Sequence, residues 1–263
     1  MFGILAPLRN RPIGSLSSLR EAKQAYRLWP IESGGAAHGE TLMHARDFGI
    51  KGRNFYAHAR NPPYFIAAEG AIDALLLRAR VGEKLAQVNE RLAAAGLQIF
   101  LYDAWRPRAV QAFFHDVWMP QEVRRRQNGL SDSQVLAEVE RYWSAPTDDP
   151  ARPAPHETGA AVDLTLIDAD GAPLYMGSLF DDVTALANTD HFENEANDDG
   201  SYSVREARAN RRLLYWVMME AGFASHPDEW WHYSYGDQMW AAQKGIAAAH
   251  YGLAAPAPEQ WPR

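Results

Sequence analysis

His156 and Asp163 stand seven positions apart across Gly159, in the run Pro155-His156-Glu157-Thr158-Gly159-Ala160-Ala161-Val162-Asp163. An imidazole and a carboxylate so placed can share one metal ion. The chain has no cysteine, so any metal must be held by His, Asp or Glu. Zinc in a catalytic site takes three protein ligands and leaves the fourth position to water. His232 is the best third ligand, because it lies in a segment read as a strand and Glu229 precedes it by three residues. A carboxylate there can take the proton of a water that attacks a carbonyl. The oxyanion so formed needs a fixed positive group, and Arg106, at the end of a different strand, is the candidate. Residues three apart on a regular strand face opposite ways, so Glu229 and His232 converge only through a turn or a bulge. Pro227 favours the turn.

Each residue taken singly has a plainer reading. The chain has nine histidines, and His58, His115, His191 and His226 read as ordinary surface or core residues, at most supporting a ligand. Arg106 could simply pair with an acid, and Trp230-Trp231 reads as core. Asp163, flanked by apolar neighbours, would be a costly buried charge without a partner. His156-Glu157 looks superficially like the start of the helical zincin motif, but position 160 is Ala, which excludes it.

The elements that must position these residues follow from the hydrophobic pattern. A helix, whole or in two pieces, is expected from Glu69–Asp73 to Ala95, using Leu75, Leu76, Leu85, Val88 and Leu92 and closed by Gly96. Leu97–Tyr102 reads as a buried strand, followed by a helix over Arg108–Val117 that Met119-Pro120 stops. Residues 121–155 are an excursion carrying a helix near Asp132–Trp143. Arg124-Arg125-Arg126 reads as a solvated helix face. Ala161–Ile167 alternates, with Val162, Leu164 and Leu166 on one face and Asp163 and Thr165 on the other. Asp168-Ala169-Asp170-Gly171 predicts a hairpin to a strand at Leu174–Met176. A polar loop fills 177–200, and Ser203–Glu206 has capping-box form for a helix to Ala221. An aromatic strand near 226–235 precedes a last helix over Asp237–His250. Gly34-Gly35-Ala36-Ala37 reads as a loop, and the Pro-rich end as a frayed tail. Strands and helices intersperse without strict alternation, which favours an α+β fold with a mainly antiparallel sheet. One domain over 1–263 is the simplest division, with a core of about 40–250, an extension at 1–35, an insertion at 120–153 and a tail at 254–263.

Composition narrows the function classes. The 263 residues are 47% apolar and 22% charged, as in ordinary globular proteins. The net charge of −7 argues against general affinity for nucleic acid or anionic membrane. No apolar run approaches the roughly 18 residues that span a bilayer. Met1–Leu8 lacks the basic start of a signal peptide, so the location is read as cytoplasmic, with the periplasm as the alternative.

Taken together the motifs resemble one family. His-x-x-Gly-x-Ala-x-Asp (156–163), Glu-Trp-Trp-His (229–232) and Tyr-Asp-Ala-Trp-Arg-Pro (102–107) resemble the D-alanyl-D-alanine dipeptidases. These are zinc peptidases known from vancomycin resistance, related in fold to D,D-carboxypeptidases and Hedgehog signalling domains. Met176-Gly177-Ser178-Leu179-Phe180-Asp181 is similar to the family's Met-Gly-Thr-x-Phe-Asp segment, and the likeness covers about residues 40–236. The resemblance implies one Zn²⁺ per chain on His156, Asp163 and His232. It implies Glu229 as general base and then acid, Arg106 as transition-state stabiliser, and Asp181 as the carboxylate that holds the ammonium group of a small dipeptide. Ala154 stands where the family has Ser, and His44 where it has a Tyr; both are substrate-contact positions. The alternatives are a D,D-carboxypeptidase, another small-peptide zinc peptidase, or a zinc-bearing binding domain without catalysis.

Overall fold

The computed structural model describes residues 3–32, 34, 39–257 and 260; the expected loop positions Gly35, Ala36 and Ala37 lie outside them. Among the described residues seven strands form, β1 (Leu42–His44), β2 (Lys51–Gly52), β3 (Leu76–Arg78), β4 (Gln98–Asp103), β5 (Ala161–Ile167), β6 (Ala224–His226) and β7 (Glu229–Ser234). Five make one sheet in the order β2-β4-β5-β7-β6, antiparallel except for the β2–β4 pair. β1 and β3 make a separate antiparallel pair. The α+β fold with a mainly antiparallel sheet is therefore present.

β5 is central, and all seven of its residues are buried, including Asp163 and Thr165. Its polar face is covered as fully as its apolar one, which is why Asp163 needs compensating partners. The predicted hairpin after β5 shrinks to a turn. Leu174 N–H donates to Leu166 O at 2.9 Å and Ile167 bridges Pro173, but no second strand follows.

The helices are α1 (Ala6–Asn10), α2 (Ser17–Ala25), α3 (Ala79–Ala93), α4 (Arg108–Ala112), α5 (Met119–Arg126), α6 (Asp132–Tyr142), α7 (Tyr202–Glu220) and α8 (Gln238–Lys244). α3 buries Val81, Leu85, Val88 and Leu92, the spacing of one helix face. It starts later than its sequence suggests: Leu76 lies in β3 and packs with Leu42, Ile72 and Trp105. Met119-Pro120 does not stop the chain after α4. A wide π-type turn over Phe113–Trp118 leads into α5, and Pro120 occupies the first turn, where no backbone N–H is required. Ser131 and Gln134 cap α6 reciprocally. α7 is capped by Ser201, whose side chain accepts from Val204 N–H, two residues before the expected cap.

α8 is shorter than expected because Gly245, at φ 65°, ends it. Nor is the chain end frayed as far as Ala254, whose N–H donates to Glu157 O and whose carbonyl accepts from the Trp105 indole, both at 3.0 Å. Among the described residues no helix is long and apolar enough to cross a membrane.

Candidate metal centre

β5 and β7 pair so that Asp163 lies directly opposite His232. His156 sits in the short 3₁₀ turn Pro155–Thr158 just before β5, and Gly159 closes that turn at φ 69°. A Cβ at Gly159 would fall 2.3 Å from Leu42 Cδ2, so only glycine fits this joint. The joint swings His156 back over β5. All three side chains are buried, and their ligand atoms lie within 4.8 Å of one another. His156 Nε2 is 3.1 Å from His232 Nδ1 and 3.3 Å from Asp163 Oδ2, while His232 Nδ1 is 3.1 Å from Asp163 Oδ1.

The outer ring nitrogens decide what the inner ones offer. His156 Nδ1–H donates to Ala104 O at 2.7 Å, leaving the Nε2 lone pair directed at the centre. His232 Nε2 lies 3.4 Å from Ser234 Oγ, and burial lowers the His232 pKa to about 4, so this ring is neutral and able to ligate near neutral pH. Asp163 Oδ1 has no hydrogen-bond partner despite its nearness to His232. Two imidazole nitrogens 3.1 Å apart and a carboxylate with an unpartnered oxygen converge on one point, which fits a shared cation. Two imidazoles and one carboxylate beside an open cavity are the donor set of catalytic zinc.

Glu229 begins β7 immediately after the tight turn at Pro227-Asp228. Pairing with β6 jumps from Ser225–Tyr233 to His226–Glu229, so β7 carries the extra residues in a bulge. The turn that Pro227 favours and the alternative bulge are thus both present. Glu229 Oε2 comes to 3.7 Å from His232 Nδ1, and Oε1 to 3.7 Å from His226 Nε2. Burial pushes the Glu229 pKa well above the usual carboxylate range.

A second bulge, at Tyr102 in β4, turns Asp103 toward the same end of the sheet. Arg106 follows it. Its Nε donates to Asp103 Oδ2 at 2.8 Å, Nη1 to Gln111 Oε1 at 2.9 Å, and Nη2 to Tyr56 Oη at 3.2 Å and Asp163 Oδ2 at 3.3 Å. The rings of Tyr56 and Trp143 lie 4.7 and 4.5 Å from the guanidinium carbon. Asp181 is buried in a left-handed conformation, φ 56°, and accepts from Tyr56 Oη–H at 2.7 Å. Burial first, then the nearby Asp163 charge, push its pKa up to about 7.

Six of the predicted residues line one cavity: Arg106, His156, Asp163, Asp181, Glu229 and His232. Its inner space is about 30 Å³, room for one or two waters. The other two predicted contacts stand apart. Ala154 is buried, and its N–H donates to Glu157 Oε2 at 2.8 Å. His44, at the end of β1, faces a different cavity with Arg46, Asn54 and Asp73.

Residues 67–250 match the M15 peptidase family model, described as D-Ala-D-Ala dipeptidase. The chain belongs to this family. A D-alanyl-D-alanine dipeptidase of Synechocystis sp. is 39% identical over 181 residues, covering 64% of this chain and 72% of that protein. One from Enterococcus faecium is 31% identical over 159 residues, covering 60% and 72%. Among solved structures, VanYB in complex with D-alanine-D-alanine has 16% identity and a TM-score of 0.39, covering 72% of this chain and 91% of that one. The D,D-dipeptidase VanXYg with a D-Ala-D-Ala phosphinate analogue has 16% identity and a TM-score of 0.36, covering 86% and 70%.

In this M15 metallopeptidase the site also uses residues that the sequence does not single out, among them Tyr56, Gln111 and Trp143 around Arg106, and His226 and Asp103. His226 lines the cavity beside Glu229, and its Nδ1 accepts from Asp228 N–H at 3.2 Å, which leaves the proton on Nε2, facing Glu229. Asp103 is fully buried and anchors Arg106. The one signal for Asp103 was its place at a strand end, three residues before the arginine.

Proposed function

We propose that the protein is a zinc-dependent dipeptidase that hydrolyses D-Ala-D-Ala or a closely related dipeptide, with a single zinc held by His156, Asp163 and His232. The observation that carries this reading is the buried Glu229 carboxylate, 3.7 Å from the ligand nitrogen of His232 and facing the same cavity. When bound, zinc acts as a Lewis acid that makes a water more acidic and a carbonyl more electrophilic.

The protein's own groups do the rest. Glu229 removes the proton of the attacking water and returns it to the leaving amine. A carboxylate whose pKa burial has raised suits a group that must accept and then release a proton. Arg106 is fixed by Asp103, Gln111 and two rings, so its donors are in place before negative charge develops on the carbonyl oxygen. Asp181, oriented by Tyr56, accepts the substrate's free ammonium group. A blocked N-terminus would leave that buried carboxylate without its partner, which selects for free dipeptides over longer or capped peptides.

Glu229→Ala is the direct test. The variant should retain one equivalent of zinc by metal analysis and lose about 10²- to 10⁴-fold in kcat on D-Ala-D-Ala, the range for a positioned acid–base group. Undiminished turnover would sink the assignment.

A further inference from the structure

Two segments that supply no candidate metal ligand roof the cavity. α2 supplies Lys23, and the end of α6 with the residues after it supplies Glu140, Arg141, Tyr142, Trp143 and Ser144. Lys23, Glu140, Arg141 and Ser144 also border a much larger outer space of about 700 Å³. They are therefore the gate between the small inner cavity and the outside. Lys23 lies outside the family-matched segment, which begins at residue 67.

The charges at this gate do not cancel. Asp228 faces three cations: Arg20 at 3.1 Å, Lys23 at 3.2 Å and Arg141 at 3.9 Å. Arg20 is also engaged by Asp190, at 2.8 Å. Three cations thus share two carboxylates, and one positive charge is left over. Glu140 on the same rim is exposed to solvent, where its field is screened. Lys23 is mostly buried, with a side-chain exposure of 15%. It donates to Arg141 O and Asp228, and it lines the inner cavity together with Glu229 and His226. Asp181 belongs to the other wall, beside Tyr56 and Arg106.

A free dipeptide is a zwitterion. In the dipeptidase reading Asp181 takes its ammonium and Glu229 acts at its peptide bond; both line one cavity with Lys23 and Arg141, so the carboxylate is the end left for the gate. We infer that Lys23, supported by Arg141, recognises the C-terminal carboxylate of the dipeptide and so makes the N-terminal extension part of the specificity site. This rests on the dipeptidase reading. Lysine is suited to the task, because its ammonium has three donors and can add a substrate oxygen to the two partners it already holds.

The experiment compares D-Ala-D-Ala with D-Ala-D-alaninamide on zinc-loaded wild type, Lys23→Met and Lys23→Arg. Both hydrolysis and, by calorimetry on the Glu229→Ala background, binding are measured. Wild type should prefer the free carboxylate by at least about tenfold in KM, the scale of one charge-assisted hydrogen bond. Lys23→Met should abolish that preference by weakening only the free acid, with kcat within a few-fold, and Lys23→Arg should restore most of it. A lost carboxylate preference in binding without any hydrolysis by wild type would support this inference while overturning the activity. Hydrolysis with the same acid-to-amide ratio in Lys23→Met and wild type would overturn the inference and leave the activity standing. Failure of either dipeptide to bind would overturn it as well.

Discussion

Arg106 shows how much of the site is decided by single side chains. Four polar contacts and two aromatic faces hold one guanidinium, and each uses its planar fork. Lysine would keep the charge but lose the fork. Arg106→Lys should therefore retain zinc and an almost unchanged KM while kcat falls about 10²- to 10³-fold, the cost of losing a preorganised oxyanion donor. Steady-state kinetics beside metal analysis checks this, and a kcat within threefold of wild type would remove Arg106 from the transition state. The plainer sequence reading of Arg106, as the partner of an acid, holds in the structure: Asp103 anchors it, and such anchoring would serve the proposed role. Asp181 gives a second residue-level outcome. Asp181→Asn should cut kcat/KM on D-Ala-D-Ala by at least about tenfold while N-acetyl-D-Ala-D-Ala reacts no more slowly than with wild type, since the blocked substrate has no ammonium to lose. Equal losses on both substrates would assign Asp181 to structure alone.

At the scale of elements, the bulges explain what the sequence shows and what it hides. His156, Asp163 and His232 were legible because residue type, a glycine joint and strand alternation all act locally. Convergence of Glu229 with His232 was legible only as a condition, because strand parity assigns them to opposite faces and a bulge is a backbone event that leaves no periodic trace. Leu75 and Leu76 mimic a helix face, yet pairing of Leu76 with His44 draws β3 out of that pattern. The cap of α7 fell on Ser201 instead of Ser203 because both serines precede the same apolar register. α8 offers a test of element chemistry. Its cap, Asp237, accepts from Trp240 N–H at 2.8 Å, but Oδ2 is buried without a partner. Burial pushes its pKa up to about 6. The unfolded chain therefore releases this proton first as pH rises. The stability contribution is full below about pH 4 and declines until about pH 6, above which the loss is complete. Asn caps a helix as well as Asp and cannot titrate. Asp237→Asn should thus melt above wild type at pH 7–8, by about 1–3 kcal/mol in stability, and the advantage should vanish near pH 4. A pH-independent difference in Tm would reject this account.

Across the whole molecule, the centre is assembled from chain segments distant in sequence, and its ligands depend on one another. His156 arrives from the turn before β5, Asp163 from β5 itself and His232 from β7, so the zinc proposed for this site would tie the 3₁₀ turn to two adjacent strands. Around it the fold has placed a neutral imidazole against a carboxylate oxygen that has no hydrogen-bond partner. Such an arrangement is unfavourable alone and favourable around a cation. Metal removal should therefore act on the global stability as well as on turnover. A ligand at about a thousand times its dissociation constant stabilises the native state by about 4 kcal/mol. For a chain of this size that corresponds to roughly 8–16 °C in Tm. The chelated protein should melt lower by about that amount, and stoichiometric zinc should restore it. His232→Ala separates this coupling from nonspecific effects of chelator or added metal. It removes one ligand and the neighbour of Glu229, so its Tm should sit near that of chelated wild type and respond little to either treatment. Equal zinc responses in wild type and His232→Ala would show that the stabilising metal binds elsewhere. An unchanged Tm on verified metal removal from wild type would show that the three segments are held together without it.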